Sequence, residues 1–401
     1  MTVHSTISGG RATLDMLDGL PQEPAFPVEE YQTRLASVRD GMNERDIDVL
    51  LVQHPSNVLY LTGYQTFSPN FGECMIVPLE GDPTLLVPSP ELGGALVHTW
   101  LDDRRGYAPD RSNAQYIADT FREKNLDGSK VGVEKQSHGL SAGTYEGLVA
   151  ALPKAQFLDG SGIVEAVKTV KAPLEIAHIR AAAKTTQAGM AAAIDAAREG
   201  ATDNDMAAAA SEALVAAGSE YMCLSPVVTS GRRSGILHST HKRNRLEKGD
   251  VLLLEMGGCI YRYSAPTMRT VFIGEPPAEA RRMAEACLTA LGNILSTIRA
   301  GVTADEVAQV GWESILTAGD GFVFHGNFGY AIGAGFPPTW ADDTGAIMSG
   351  IDTVLRPGMV FHHPVALRRM GRYGTAFSET TVVTEDGCEV LTRSPREIVV
   401  R

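Results

Sequence analysis

The chain has 401 residues, 44% of them apolar, which suits two domains of ordinary size and excludes a disordered polymer. Its formal net charge of −13 argues against non-specific binding to nucleic acid or to an anionic membrane, since either needs a basic footprint. No apolar run reaches the roughly 18 residues that a membrane span requires.

In chain order, residues 1–24 read as a loose arm, because no basic stretch precedes an apolar one as in a signal peptide. Leu35, Val38 and Met42 recur at helical spacing and predict a helix over 28–45. The β-branched run 49–52 predicts a strand ended by His54-Pro55-Ser56-Asn57, and 75–78 and 84–88 flank a Glu-Gly-Asp turn as a hairpin. Helices are expected over 112–124 and 142–152, with a short strand at 131–133. This alternation makes the first part a small α/β domain. Long helix patterns follow at 173–199, 203–217, 277–299 and 303–317. The strands between and after them are expected at 251–255, 269–273, 359–364 and 377–384, with 263–270 as the return arm of a hairpin. Two helix pairs set against hairpin-like strands suggest an α+β domain with an internal duplication. The boundary falls near 165–172, giving domains 1–168 and 169–401. The five cysteines, Cys74, Cys223, Cys259, Cys287 and Cys388, are scattered without a CxxC. That predicts neither a disulfide framework nor a thiolate zinc site, and a reducing cytoplasm as the setting.

The chemistry-bearing residues cluster in the second domain. A glycine-punctuated turn, Ser230 to Gly235, delivers His238, and the apolar strand after Gly249-Asp250 ends on Glu255. Alternation puts Val251, Leu253 and Glu255 on one face, and a carboxylate there is costly unless it meets a polar pocket or a partner. His362 and Pro364 are expected to share one strand face and His363 the other, while Glu379 lies inside the last β-rich run. Two acids and a histidine suit hydrolysis of a carbon–nitrogen bond, one group activating water or attacking and another protonating the leaving nitrogen. A bland reading stays open for each: an edge carboxylate paired to a cation, or a structural histidine. No GxSxG, HExxH, P-loop or GxGxxG is present.

At these residues the chain resembles the creatinase/methionine aminopeptidase/prolidase ("pita-bread") superfamily over nearly its whole length. The marks are His238 eleven residues before Gly249, the run from Leu355 to Met359, Arg269-Thr270, the turn Gly329-Tyr330-Ala331-Ile332-Gly333, and Ser378-Glu379. The resemblance implies a creatinase-like α/β N-terminal domain and an α+β pita-bread catalytic domain. It also implies that the metal-binding positions of the peptidase members fall here at Glu255, Pro266, Tyr330, Pro364 and Glu379. Proline has no donor atom, so no metal and no other cofactor is expected. Metal-free creatinases place a catalytic histidine at His238 and a pocket phenylalanine at Phe71. Glu73 and Met268 stand where creatinases carry a substrate-binding arginine and a glutamate, which speaks against creatine. The runs from Gly329 to Trp340 and from Pro357 to His362, with Pro266, are more similar to the ectoine hydrolases of the metal-free branch.

The resemblance therefore implies a metal-independent hydrolase of an amidine-like C–N bond in a small zwitterion, with ectoine as the leading substrate. The expected catalytic residues are His238, Glu255 and Glu379, and the expected substrate-binding residues are Phe71, Glu73, Tyr330 and His362. Alternatives are an Xaa-Pro dipeptidase or aminopeptidase, a creatinase-like amidinohydrolase, a lyase on a small zwitterion, or an inactive binding protein. A homodimer is expected, because related enzymes complete the pocket from the partner chain and the aromatic segment Tyr64, Phe67 and Phe71 looks exposed.

Overall fold

The computed structural model describes residues 21–67, 69 and 72–401, so most of the N-terminal arm and Phe71 lie outside the described residues. Two compact units meet at Lys168 and Thr169 in the chain.

The first unit contains α1 (Val28–Glu44), β1 (Val49–Val52), α2 (Pro55–Thr62), β2 (Cys74–Pro78), β3 (Thr84–Pro88), α3 (Leu92–His98) and β4 (Asp103–Tyr107). After these come α4 (Asn113–Glu123), β5 (Lys130–Val133), α5 (Ala142–Ala151), β6 (Gln156–Asp159) and α6 (Ile163–Lys168). The strands form one sheet in the order β4-β3-β2-β1-β5-β6. β1 shows why an unbroken apolar run makes a central strand: its side chains alternate between two buried faces. Leu50 and Val52 pack with Val38 and Met42 of α1, while Val49 and Leu51 pack with Ile117 and Phe121 of α4. β2 and β3 form the expected antiparallel hairpin. The segment that ends β1 also starts α2, with Pro55 in the first turn, where its missing N–H costs nothing. Tyr64, expected at the surface, is 1% exposed and its hydroxyl donates to Glu91; Phe67 is 78% exposed.

The second unit starts with α7 (Pro173–Ala196), α8 (Asp203–Ala216), β7 (Val227–Ser230), β8 (Val251–Ile260) and β9 (Tyr263–Phe272). Next are α9 (Ala278–Thr297), α10 (Ala304–Ile315), β10 (Gly329–Ile332), β11 (Ala341–Ile347) and β12 (Val360–His362). It closes with β13 (Val365–Arg369), β14 (Tyr373–Phe377), β15 (Thr380–Val383), β16 (Cys388–Val390) and β17 (Val399–Val400). The sheets run β17-β9-β8-β7 and β11-β10-β12-β15-β16, with β13-β14 as a separate hairpin. Reciprocal caps fix the helix starts: Thr303 Oγ1 accepts from Glu306 N–H, and Glu306 accepts from Thr303 N–H. β8 and β9 pair antiparallel without a break from Val251–Phe272 to Ile260–Tyr263. α7 lies close against β8 because Gly258 has no side chain: a Cβ there would fall 1.8 Å from Thr185 Oγ1.

Two expected strands are divided. The 359–364 run ends at His362 and resumes as β13, and the 377–384 run ends at Phe377 and resumes as β15. In both, the chain leaves one sheet for another, and His363 N–H donating to Glu379 C=O ties the two crossings together. Glu379 therefore sits between strands, not within one. All five cysteines are free, and among the described residues no helix is long and apolar enough to cross a membrane.

Candidate active site

A cavity of about 760 Å³ opens in the second unit, lined by residues between Leu224 and Arg368. Strand alternation decides which side chains reach it. On β8, Leu253 and Glu255 line the cavity, while Leu252, Leu254 and Met256 pack into the core against α7 and α8. On the β13 arm, Pro364, Ala366 and Arg368 line it, while Val365 and Leu367 enter the core beside α9. Leu253, Met268, Ala366 and Ala376 form a small apolar cluster there, and charges beside such a surface act with little screening.

Glu255 pairs in register with Val227 of β7 and Met268 of β9. Burial pushes its carboxyl up to about 7, against the opposing pull of the Arg368 cation. Arg368 is only 5% exposed. Burial lowers the pKa of its guanidinium, and the negative charge of Glu255 works the other way. Sequence reasoning missed Arg368. The signal was available: carrying the period-two alternation on from Pro364 places Ala366 and Arg368 on the same face.

Tyr330, on β10, faces the cavity and pairs in register with His362 of β12. Its hydroxyl accepts from Trp340 Nε1–H at 2.8 Å and meets His362 Nδ1 at 2.7 Å. His362 Nε2 in turn meets Ser378 Oγ at 2.6 Å, and Ser378 Oγ accepts from Met268 N–H. Burial holds His362 well below the usual histidine range, so the ring is neutral at neutral pH. Burial, followed by the Glu255 charge, raises the Tyr330 phenol, which keeps its proton.

His238 lines the cavity and is exposed, with a left-handed backbone of φ 53°. Such a conformation costs a non-glycine residue about 1–2 kcal/mol and clusters at functional sites. His325, Asn327 and Trp340 also line the cavity, and of these the sequence reading had marked only Trp340.

Two expected site residues of the second unit do not line the cavity. Glu379 is fully buried behind the cavity, where it accepts from Arg269 Nη2 at 2.7 Å and from Thr392 Oγ1. A carboxylate so engaged has no free face for substrate, which removes its expected catalytic contact. His362 is likewise fully buried, with both ring nitrogens engaged, so it touches Tyr330 rather than substrate. It also parts from Pro364, with which it was expected to share a face. Glu73 belongs to the first unit, where it is buried just before β2.

The donor set does not fit a metal pair. Pro266 and Pro364 offer no ligand atom, Tyr330 is bound to Trp340 and His362, and Glu379 is neutralised by Arg269. Among the described residues no group of three or more His, Cys, Asp or Glu side chains is placed to hold a metal ion.

The fold is that of a creatinase-type N-terminal domain followed by a pita-bread domain, and the chain belongs to metallopeptidase family M24. Residues 177–385 match that family, and residues 34–170 match the creatinase/prolidase N-terminal domain. An uncharacterized hydrolase/peptidase of Sinorhizobium fredii is 33% identical, over 94% of this chain and 98% of that one. The ectoine hydrolase of Halomonas elongata is 29% identical over the same shares of the two chains. The solved Xaa-Pro dipeptidase of Bacillus anthracis superposes with a TM-score of 0.80 at 21% identity, over 92% of this chain and all of that one. The chain is thus a hydrolase of this family.

Proposed function

We propose that this hydrolase opens a small cyclic amidine zwitterion, ectoine or a near relative, by C–N hydrolysis that needs no metal. The observation that carries the reading is Glu255, a cavity-facing carboxylate, with Pro266, Pro364 and Tyr330 at the other metal positions that the family resemblance implies. An amidinium ring supplies a directly paired cation for this carboxylate, and a charge-assisted pair holds the ring carbon against the Glu255 oxygens.

The ring carbon gains one oxygen from water, one ring C–N bond breaks, and the departing nitrogen takes a proton. With ectoine the product is N-acetyl-2,4-diaminobutyrate. Glu255 either adds to the carbon to give an ester-like adduct that water then cleaves, or directs the water itself. His238, exposed at the cavity, carries the proton to or from solvent. Tyr330 donates to or accepts from the ring, held in place by Trp340 and His362. The relation to the Halomonas elongata ectoine hydrolase supports this reading.

The test is turnover of ectoine and of Ala-Pro by protein stripped with a chelator, followed by mass spectrometry. Ectoine consumption that chelation does not slow is the expected result. Ala-Pro cleavage that depends on added manganese or cobalt, with ectoine untouched, overturns the proposal in favour of a dipeptidase. Heavy-oxygen label appearing in the Glu255 carboxylate during turnover selects the covalent route. We further propose a homodimer, supported by the 78% exposure of Phe67. A monomer in sedimentation at micromolar concentration refutes it.

A further inference from the structure

Arg368 stands out because it is a nearly buried cation for which no described residue supplies a side-chain partner. Its side chain is 5% exposed, yet among the described residues it makes no hydrogen bond or ion pair, and Nε is buried without a partner. Buried guanidinium groups are ordinarily paired, because leaving their donors unmet is costly. The neighbouring Arg369 shows the ordinary arrangement: it points to the opposite side of β13 and pairs with Glu279.

Nor is Arg368 loosely held. Its backbone exchanges two hydrogen bonds with Val323, at 2.7 and 3.0 Å, and pairs in register with Gly374 on β14. A Cβ on Gly374 would fall 3.1 Å from Arg368 Cγ and 2.2 Å from Ser234 C=O, so glycine at 374 leaves room for the arginine stem. The strand thus presents a rigid, preorganised fork to the cavity. The facing carboxylate, Glu255, influences Arg368 electrostatically, but no ion pair within 4.0 Å joins them. Two opposite charges therefore line one cavity without neutralising each other.

We propose that Arg368 is the carboxylate anchor of this cavity, so that its ligand is a zwitterion with its carboxylate on Arg368 and its cationic C–N centre against Glu255. The inference rests on the ring-opening reading for the second half of that statement and is independent of it for the first. A guanidinium fork matches a carboxylate with two parallel N–H···O bonds, which fixes the ligand's orientation as well as its affinity. Selectivity follows: a cyclic amidine that lacks the carboxylate leaves the Arg368 donors unmet, and a purely anionic ligand leaves Glu255 unmet.

The experiment compares two ligand pairs on the full chain, wild type and Arg368→Met, by calorimetric binding and turnover. One pair is ectoine and its decarboxylated ring, 2-methyl-1,4,5,6-tetrahydropyrimidine. The other is Ala-Pro and its C-terminal amide. Wild type is expected to prefer ectoine over the decarboxylated ring by about 10- to 100-fold, the scale of hydrogen bonds to a charged group. Arg368→Met should abolish that preference while leaving binding of the decarboxylated ring within about threefold. Arg368→Lys, which keeps the charge but not the fork, should recover part of it.

A carboxylate preference that depends on Arg368 for Ala-Pro alone, with neither ring bound, sinks the ring-opening reading and keeps the anchor. Equal losses for both members of a pair, with a shifted pH profile, mean that Arg368 only tunes Glu255, and the anchor is refuted. A carboxylate preference unchanged in both variants refutes it too. Melting curves of the variants separate these outcomes from misfolding.

Discussion

Glu255→Gln should abolish turnover and at the same time stabilise the protein, but only at neutral and higher pH. The carboxyl titrates at about 7 in the fold against an ordinary 4.5, and that rise already includes the attraction of Arg368. The folded state thus holds this proton more tightly than the unfolded chain does. Its favourable contribution is complete below pH 4.5, declines as pH rises, and is gone above 7, where the ionised group is a net burden on the fold. The difference corresponds to about 3 kcal/mol at most, and solvent screening of this partly exposed residue reduces it to about 2 kcal/mol. Glutamine mimics the protonated acid, so at pH 8 the variant should melt about 4–8 °C above wild type. Near pH 4.5 the two should coincide. Turnover should fall by at least about 100-fold, the scale of a positioned acid–base or nucleophilic group. Differential scanning calorimetry across pH 4.5–8.5, with ectoine turnover on the same samples, reads both quantities. A melting difference that does not change with pH, or a variant less stable at pH 8, refutes the electrostatic account. Near wild-type turnover refutes the catalytic one.

His238→Gly removes the left-handed strain along with the imidazole, so the melting temperature should hold or rise by a few degrees while turnover drops about 100-fold. Tyr330→Phe strands the Trp340 and His362 partners of the hydroxyl, which should cost about 1–3 kcal/mol in chemical denaturation. Its loss of turnover should be milder than that of Glu255→Gln. Glu379→Gln breaks the fully buried pair with Arg269 and should cost about 3–5 kcal/mol, with turnover per folded molecule largely kept. Loss of turnover at unchanged stability would restore Glu379 to a direct chemical role.

What the sequence disclosed depended on range. The alternation of 251–255 was enough to put Glu255 on the same face as Leu253, because strand period is a local property. The long helices were equally legible, since their apolar spacing is also a local property. Glu379 was recognisable as a significant carboxylate, but its partner Arg269 lies 110 residues away, so nothing nearby revealed that it was already neutralised. His362 was misread for a similar reason: the chain changes sheets directly after it, and alternation says nothing across such a crossing. Arg368 was overlooked because two adjacent arginines before Met370-Gly371 resemble a solvated turn. Only the hairpin sends one inward and the other to Glu279.

That hairpin makes the cavity's charge a matter of counting. Pro364, Ala366 and Arg368 face one way and Val365, Leu367 and Arg369 the other, with register held by the tight connection through Gly371 at φ 69°. Shifting the pairing by one residue exchanges the two sets. Arg369 would then be thrust into the cavity, and the apolar pair would leave the core. Point changes at Met370 or Arg372 are therefore compatible with a working site, whereas gain or loss of a single residue in the turn is not. Descendants of this chain are free to vary Met370 and Arg372, but neither the glycine between them nor the length of the turn.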